Sequence, residues 1–253
     1  MNIVCVVQAR MSSSRLPSKT MMLLSGKPVI EQVFRQLSFS KMINQRILAT
    51  SVDPADDELY NWALKNKIEC YRGSLNDVLD RYYQAAKFVK ADVVVRITGD
   101  CPLIDPDFMD KTIEMFLSNK YDYVSNSLEP TLPDGYDTEV FTIQSLEKAW
   151  SEASLKSERE HVTPYIYKNP SIFKIGVFKH TENYSHLRLT LDEKRDYIFL
   201  DKLFTELSRD FQIPFHLNDI IKVLNFNKNL LSINSSIERN EGYKNSLIKD
   251  NIK

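Results

Sequence analysis

Three cations and three consecutive serines lie close together near the start of this 253-residue chain. Within residues 8–19, Arg10, Arg15 and Lys19 surround Ser12-Ser13-Ser14. A polyphosphate is bound where cations and N–H donors converge from a loop, arginine through paired hydrogen bonds and lysine as a point charge. Neither GxxxxGK[ST] nor GxGxxG is present, and a solvated surface loop is the alternative interpretation. We predict a phosphate-binding loop.

A carboxylate follows a second apolar run, in the stretch Gly99-Asp100-Cys101-Pro102. Magnesium in nucleotide sites is commonly held by one or two carboxylates together with phosphate oxygens. The alternative is that Asp100 or Asp105 caps a helix that begins at Pro106. Asp105 stands directly before that proline and is the better cap, so we predict that Asp100 is available to hold Mg²⁺.

Strand and helix patterns alternate over the first 120 or so residues, which favours an α/β fold with a mostly parallel, doubly wound sheet. Apolar runs predict strands at residues 3–7, 46–50, 67–71 and 92–97. Helical patterns cover residues 28–39, 75–89 and 106–119, and another helix begins at Pro54 after an Asp53 cap. Open sheets of this kind bind ligands at the carboxyl ends of their strands, so the cationic loop and Asp100 should share one edge.

The second half of the chain is less regular. We predict strands at residues 121–126, 139–142, 172–178 and 187–191, and helices at 143–167 (interrupted before His161), 196–207 and 217–224. Residues after Asn225 are polar and poor in aromatic side chains. The simplest division is one domain, residues 1–225, with a small C-terminal appendage, residues 226–253.

The charge balance excludes a general affinity for nucleic acid or membrane surfaces, because 33 basic and 34 acidic residues give a formal net charge of −1. No apolar run approaches the roughly 18 residues of a membrane span, and the first residues do not read as a signal peptide. Cys5, Cys70 and Cys101 lack metal-ligand spacing. These features predict a cytoplasmic protein with reduced thiols.

The runs QAR…SSRLP·K…GKP and RITGDCPLIDP resemble the cytidylyltransferases that activate acidic sugars, the CMP-Kdo and CMP-sialic acid synthetases. The SpsF (spore coat polysaccharide biosynthesis) branch is the most similar. The resemblance continues in order through residues 71–82, 134–141, 159–165 and 239–243. It implies a three-layer fold of the nucleotide-diphospho-sugar transferase type.

In such enzymes the opening loop binds CTP, which assigns residue roles by resemblance. The implied phosphate contacts are Arg10, Ser13, Arg15 and Lys19, with the backbone of Ala9 near the base. The implied Mg²⁺ ligands are Asp100 and Asp192, although Asp192 would also suit the N-cap of a helix near Lys194. Ser12 and Ser18 stand where relatives usually have glycine, which accepts positive φ freely.

The acceptor side carries further polar residues. Arg72 and Arg81 follow the third strand, where a surface ion pair with Asp77 is the alternative. Asp137 and Glu139 alternate along a strand that borders the sugar pocket in the related enzymes. Arg159 and His161 offer a carboxylate-binding cation and a proton acceptor, although a lone histidine on a helix is more often structural.

The expected reaction is attack by an acceptor oxygen on the α-phosphorus of CTP, with loss of pyrophosphate, for surface polysaccharide or glycan biosynthesis. Arg10, Lys19 and Asp100 would carry it by positioning and charge neutralisation. The resemblance also allows a homodimer. One alternative is a glycosyltransferase with a DxD metal site, although Asp105-Pro106-Asp107 spans a predicted helix start. The other is a non-catalytic nucleotide-binding scaffold, which could dispense with Asp100.

Overall fold

A seven-stranded sheet is the centre of the computed structural model, which describes residues 1–118 and 120–250. Its strands are β1 (Ile3–Gln8), β4 (Gln45–Ser51), β5 (Glu69–Gly73), β6 (Val93–Thr98), β7 (Tyr123–Ser125), β8 (Glu139–Thr142) and β9 (Ile175–Val177), and β2 (Leu23–Leu24) and β3 (Lys27–Pro28) form a separate hairpin. The strand order in the sheet is β5-β4-β1-β6-β8-β7-β9. The pairings are parallel except that β8 runs antiparallel to β6 and β7.

Helices cover both faces of the sheet. They are α1 (Val29–Leu37), α2 (Asp57–Lys65), α3 (Val78–Phe88), α4 (Pro106–Ser118), α5 (Ile143–Glu152), α6 (Lys156–His161), α7 (Pro164–Tyr167), α8 (Lys194–Asp210), α9 (Leu217–Phe226) and α10 (Glu241–Asp250). The break expected before His161 is present as the gap between α5 and α6. The expected end of α4 at Asn119 lies outside the described residues.

Side-chain alternation along β1 separates two hydrophobic cores. Cys5 and Val7 pack on one face with residues of α1, α2 and α4. Val4 and Val6 pack on the other face with residues of α3 and α5. The two cores make three layers, which confirms the predicted mostly parallel three-layer α/β fold.

A third hydrophobic core lies between α8, α9 and the segment at residues 187–191. Leu187, Leu189 and Leu191 all point into it, and this alternation is what predicts a strand there. The prediction is wrong: the segment makes one isolated bridge, between Arg188 and Asp134, and no ladder. Its apolar side chains are buried by helices rather than by neighbouring strands.

The C-terminal residues are more ordered than their polarity predicts. Helix α9 continues through the proposed boundary at residue 225, and a 3₁₀ helix (Lys228–Ile233) follows it. Helix α10 then packs against α6. Residues 251–253 of the predicted appendage lie outside the described part. None of the helices described in residues 1–118 and 120–250 is long and apolar enough to cross a membrane.

The loop after β1, residues 9–18, is anchored by a buried carboxylate. Asp56 is fully buried and accepts hydrogen bonds from the backbone of Met11 (2.6 Å) and from the backbone and hydroxyl of Ser51 (3.1 and 2.5 Å). The loop also turns at Ser18, whose φ of 58° is left-handed. The glycine expected at that position in relatives is therefore replaced by a residue that pays a conformational cost of about 1 kcal/mol.

We predict that Asp56→Asn lowers the free energy of unfolding by about 2 kcal/mol, because an amide cannot accept all three hydrogen bonds. Asp57→Asn is the matched control, since Asp57 is exposed and makes a surface ion pair with Arg72. The control should lose less than about 1 kcal/mol. Urea denaturation measures both, and equal losses would contradict the anchoring role of Asp56.

Candidate active site

The opening loop and Asp100 meet at the carboxyl ends of β1 and β6. These strands are neighbours, with Gln8 at the end of β1 opposite Thr98 at the end of β6. A cleft at this edge contains two adjoining cavities, a proximal cavity of about 340 Å³ at the opening loop and a distal cavity of about 410 Å³ beyond it. The residues lining both are Arg15, Arg96, Thr98, Asp100, His161, Asp192 and Gly242.

The proximal cavity is lined by every residue to which the family resemblance assigns CTP binding. Its lining includes Ala9, Arg10, Ser13, Arg15 and Lys19. The loop brings them there because β1 ends at Gln8 and its continuation turns across the sheet edge, held by Asp56. A cavity with three converging cations suits a strongly anionic ligand.

Lys19 links the two aspartates that are the predicted metal ligands. Its Nζ lies 2.5 Å from Asp100 Oδ2 and 2.8 Å from Asp192 Oδ1. Burial alone would raise the pKa of Asp100, but the charge of Lys19 and its hydrogen bond outweigh burial and lower that pKa to about 2. Both aspartates therefore contact one cation, although they are 92 residues apart in sequence.

Lys19 brings a carboxylate oxygen of Asp100 and one of Asp192 together at a single ammonium group. Carboxylate oxygens are among the ligands that Mg²⁺ uses beside phosphates. The side chain of Asp192 does not cap helix α8. The Asp196 carboxylate instead accepts hydrogen bonds from the backbone N–H groups of Asp192 and Glu193. The alternative assignment of Asp192 as an N-cap is thus wrong.

Arg188 forms an ion pair with Asp192. Its guanidinium contacts Asp134 at 2.7 Å, Asp196 at 2.9 Å and Asp192 at 3.3 Å. Sequence reasoning missed this residue. The available signal was the polar alternation of Arg188, Thr190 and Asp192 between leucines, which places charged groups on one side of an extended segment.

The distal cavity is rich in carboxylates. Asp134, Asp137 and Glu139 line it, together with Glu238 and Glu241. Burial and the neighbouring Asp137 raise the pKa of Asp134 to about 6, against the opposing charges of Arg239 and Arg188. Burial also raises the pKa of Asp137, which pairs with Arg239. An ionised carboxylate only accepts hydrogen bonds, so this lining suits a ligand that offers many donors.

Glu139 lines the distal cavity and its carboxylate is fixed by three partners. It forms an ion pair with Arg96 and accepts hydrogen bonds from the hydroxyls of Tyr123 (2.6 Å) and Thr163 (2.5 Å). Arg96, on β6, was also missed by sequence reasoning, because it lies inside an apolar run with no polar neighbour. Its place in both cavities makes it a site residue.

His161 lies between the two cavities and lines both. Burial, followed by the nearby charge of Arg96, lowers the pKa of His161 to about 4. Its Nε2 is 3.0 Å from the hydroxyl of Ser246, and its ring makes an edge contact with Tyr243. At neutral pH the ring is uncharged, which makes His161 a hydrogen-bonding residue and a weak base.

Three arginines predicted on the acceptor side lie elsewhere. Arg81 is fully buried and donates to the carbonyl of Ser74. Arg159 donates two hydrogen bonds to Asp77, the N-cap of α3. Arg72 donates to the carbonyl of Ser51 and stacks on a tyrosine ring. None of the three is among the residues that line either cavity, so their role in this arrangement is to support α3 and β5.

Asp105 acts as the predicted cap, and it caps two helices. It accepts hydrogen bonds from the backbone of Asp107 in α4 and of Leu217 in α9, both at 2.9 Å. His216 also contacts it at 3.1 Å. These bonds make the Asp105 carboxylate a structural link between α4 and α9.

Comparison with known proteins places this architecture in a family. A family model described as cytidylyltransferase matches residues 4–239. An uncharacterized protein of Methanocaldococcus jannaschii is 38% identical over 96% of this chain and 98% of its own. The spore coat polysaccharide biosynthesis protein SpsF of Bacillus subtilis is 29% identical over 89% of this chain and 95% of its own.

Solved structures show the same fold. A cytidylyltransferase from Leptospira borgpetersenii superposes with a TM-score of 0.87 at 34% identity, covering 94% of this chain and 100% of that one. A CMP-2-keto-3-deoxy-manno-octonic acid synthetase in complex with CTP gives a TM-score of 0.64 at 16% identity, covering 83% and 100%. The resemblance found in the sequence motifs is confirmed. The chain belongs to the cytidylyltransferase family of nucleotidyltransferases.

Proposed function

We propose that this protein transfers CMP from CTP to a hydroxyl of an acidic sugar or sugar derivative and releases pyrophosphate. The observation that carries the proposal is the bridge from Lys19 to Asp100 and Asp192, which joins the cationic loop to a pair of acids at one point. A triphosphate and its metal need these two kinds of group side by side. Relatives in polysaccharide and Kdo metabolism support a role in surface polysaccharide or glycan biosynthesis, in the cytoplasm.

Asp100 and Asp192 would hold Mg²⁺. When bound, the ion would neutralise phosphate charge and polarise the α-phosphate. The remaining assistance comes from the chain itself. Arg10, Arg15 and Lys19 line the proximal cavity and would bind the triphosphate and the pyrophosphate that leaves. Their contribution is positioning and electrostatic stabilisation, which suffices for phosphoryl chemistry without a protein nucleophile.

We place the sugar acceptor in the distal cavity. Asp137 and Glu139 would accept hydrogen bonds from its hydroxyls, because ionised carboxylates offer only acceptors. His161, at the junction of the cavities, would contact the acceptor near the reacting oxygen. Its low basicity favours orientation of that oxygen over proton abstraction at neutral pH.

We predict that pyrophosphate release requires CTP, Mg²⁺ and an acceptor together. The assay measures pyrophosphate from each of the four nucleoside triphosphates, with and without Mg²⁺, against a panel of nonulosonic acids and sugar phosphates. Release from CTP with one acceptor is the expected result. Tight CTP binding without release in the whole panel would instead favour a non-catalytic scaffold.

Asp100→Asn should abolish turnover, with a loss in kcat of at least about 100-fold, because it removes a charge that acts on the reacting phosphate. The fold should stay intact, as judged by thermal unfolding. Asp107→Asn is the control, since Asp107 is exposed and lies away from both cavities. A fully active Asp100→Asn enzyme would remove Asp100 from the mechanism.

The Lys19→Met variant tests the proposed metal site by a stability measurement that does not depend on enzyme activity. In the absence of Mg²⁺ this variant should lose about 3 kcal/mol of stability, because two half-buried carboxylates lose their shared cation. Added Mg²⁺ should stabilise the variant more than the wild type, in which Lys19 competes for the same oxygens. Urea denaturation with and without Mg²⁺ measures this.

The matched control is Lys27→Met, which removes a more exposed lysine from its ion pair with Glu31. Its stability should fall by less than about 1 kcal/mol and should respond to Mg²⁺ as the wild type does. An equal Mg²⁺ response in all three proteins would argue against a metal between Asp100 and Asp192.

A further inference from the structure

The C-terminal segment, residues 239–250, forms a wall of the active site although almost all of it lies beyond the matched family region, which ends at residue 239. Asn240, Glu241 and Tyr243 line the distal cavity, Asn245 and Ser246 line the proximal cavity, and Gly242 lines both. Neither composition nor resemblance gives this segment a role, but its position gives it access to both substrates.

The segment is fixed at both ends by contacts outside the opening loop. At its start, Arg239 pairs with Asp137 and donates to the carbonyl of Leu132. At its end, the Asp250 carboxylate accepts from the backbone of Ser157 at 3.1 Å. These contacts attach the segment to parts of the protein other than the opening loop.

The side chain of Arg15 links the opening loop to this wall. Arg15 extends across the cleft, with Nη2 at 2.7 Å from Asp192 and Nη1 at 3.7 Å from Glu241. The approach is close, since a Cβ on Gly242 would lie 3.8 Å from Arg15 Nη2. The guanidinium of a predicted phosphate-binding residue is thus shared between two carboxylates.

A triphosphate and these carboxylates compete for the same guanidinium. Because Asp192 is also a proposed Mg²⁺ ligand, Glu241 is the carboxylate of this pair that would remain free to hold Arg15. We propose that Glu241 is a positioning residue for Arg15: in the empty site it holds the guanidinium at the junction of the cavities, in competition with the triphosphate that takes Arg15 on binding. The inference rests on the proposed binding of CTP, and it assigns a task to the C-terminal segment.

Removing the Glu241 charge should change the affinity for CTP only slightly, but the change should be an increase. The Arg15–Glu241 pair is about half exposed, with side-chain accessibilities of 35% and 49%. Breaking such a pair costs little, so removing Glu241 should tighten CTP binding by up to about fivefold. A residue that only supported the fold would leave affinity unchanged or weaken it.

The test is calorimetric titration of CTP with Mg²⁺, in the absence of acceptor, into the wild type and Glu241→Gln. The matched control is Glu238→Gln, which removes the same charge from the same cavity wall, but from a residue that pairs with Lys244. We expect tighter binding for Glu241→Gln than for Glu238→Gln, and a difference that shrinks at high salt.

A double-mutant cycle with Arg15→Gln separates this effect from a loosened helix. If Glu241 acts through Arg15, then Glu241→Gln should change the affinity of the Arg15→Gln protein no more than Glu238→Gln does. An effect that persists without Arg15 would mean that α10 itself has shifted, and would overturn the proposal.

The other outcomes are equally decisive. Binding by Glu241→Gln that is equal to or weaker than binding by Glu238→Gln would overturn the positioning role while leaving the proposed function intact. A wild type that fails to bind CTP would instead overturn the proposed function, and the inference with it.

Discussion

The contact between Lys19 and the two aspartates is the interaction on which the rest of the site depends. Asp100 and Asp192 come from distant parts of the chain, and bringing two half-buried carboxylates together is unfavourable unless a cation lies between them. The loop after β1 supplies that cation, and buried Asp56 holds the loop across the sheet edge so that Lys19 can reach. The strand order, the Asp56 anchor of the loop and the charge pairing together fix the position of Lys19 between Asp100 and Asp192.

Near Lys19, the side chains of Arg15 and Arg188 each contact more than one carboxylate. Arg188 divides its guanidinium among three aspartates, and Arg15 divides its own between Asp192 and Glu241. Sharing lowers the cost of removing any one partner, because the others remain to satisfy the buried donor. A site built in this way can exchange a partner for a ligand without leaving a buried charge unpaired.

The sequence predicts the features that depend on local pattern. The cationic loop, Asp100 beyond β6 and the cap at Asp105 follow from a strand end or a proline, and all are found where the pattern places them. The predicted acceptor-side arginines of α3 and α6 do not line either cavity, because sequence shows the charge of a long side chain but not its direction. Arg96 and Arg188 were missed for the converse reason, since each lies in an apolar context that hides a functional charge. Helix α10 was unexpected because its sequence is mostly polar and lacks the broad apolar stripe that marks a helix packed on a core.

The ion pairs of Lys19 and Arg15 also affect the release of pyrophosphate in the proposed reaction. In a cytidylyltransferase working as proposed, pyrophosphate departs from the cations that held it, and Asp100, Asp192 and Glu241 stand ready to pair with those cations again. The carboxylates then act as internal competitors that favour departure of the inorganic product. In that mechanism pyrophosphate would leave before the sugar nucleotide.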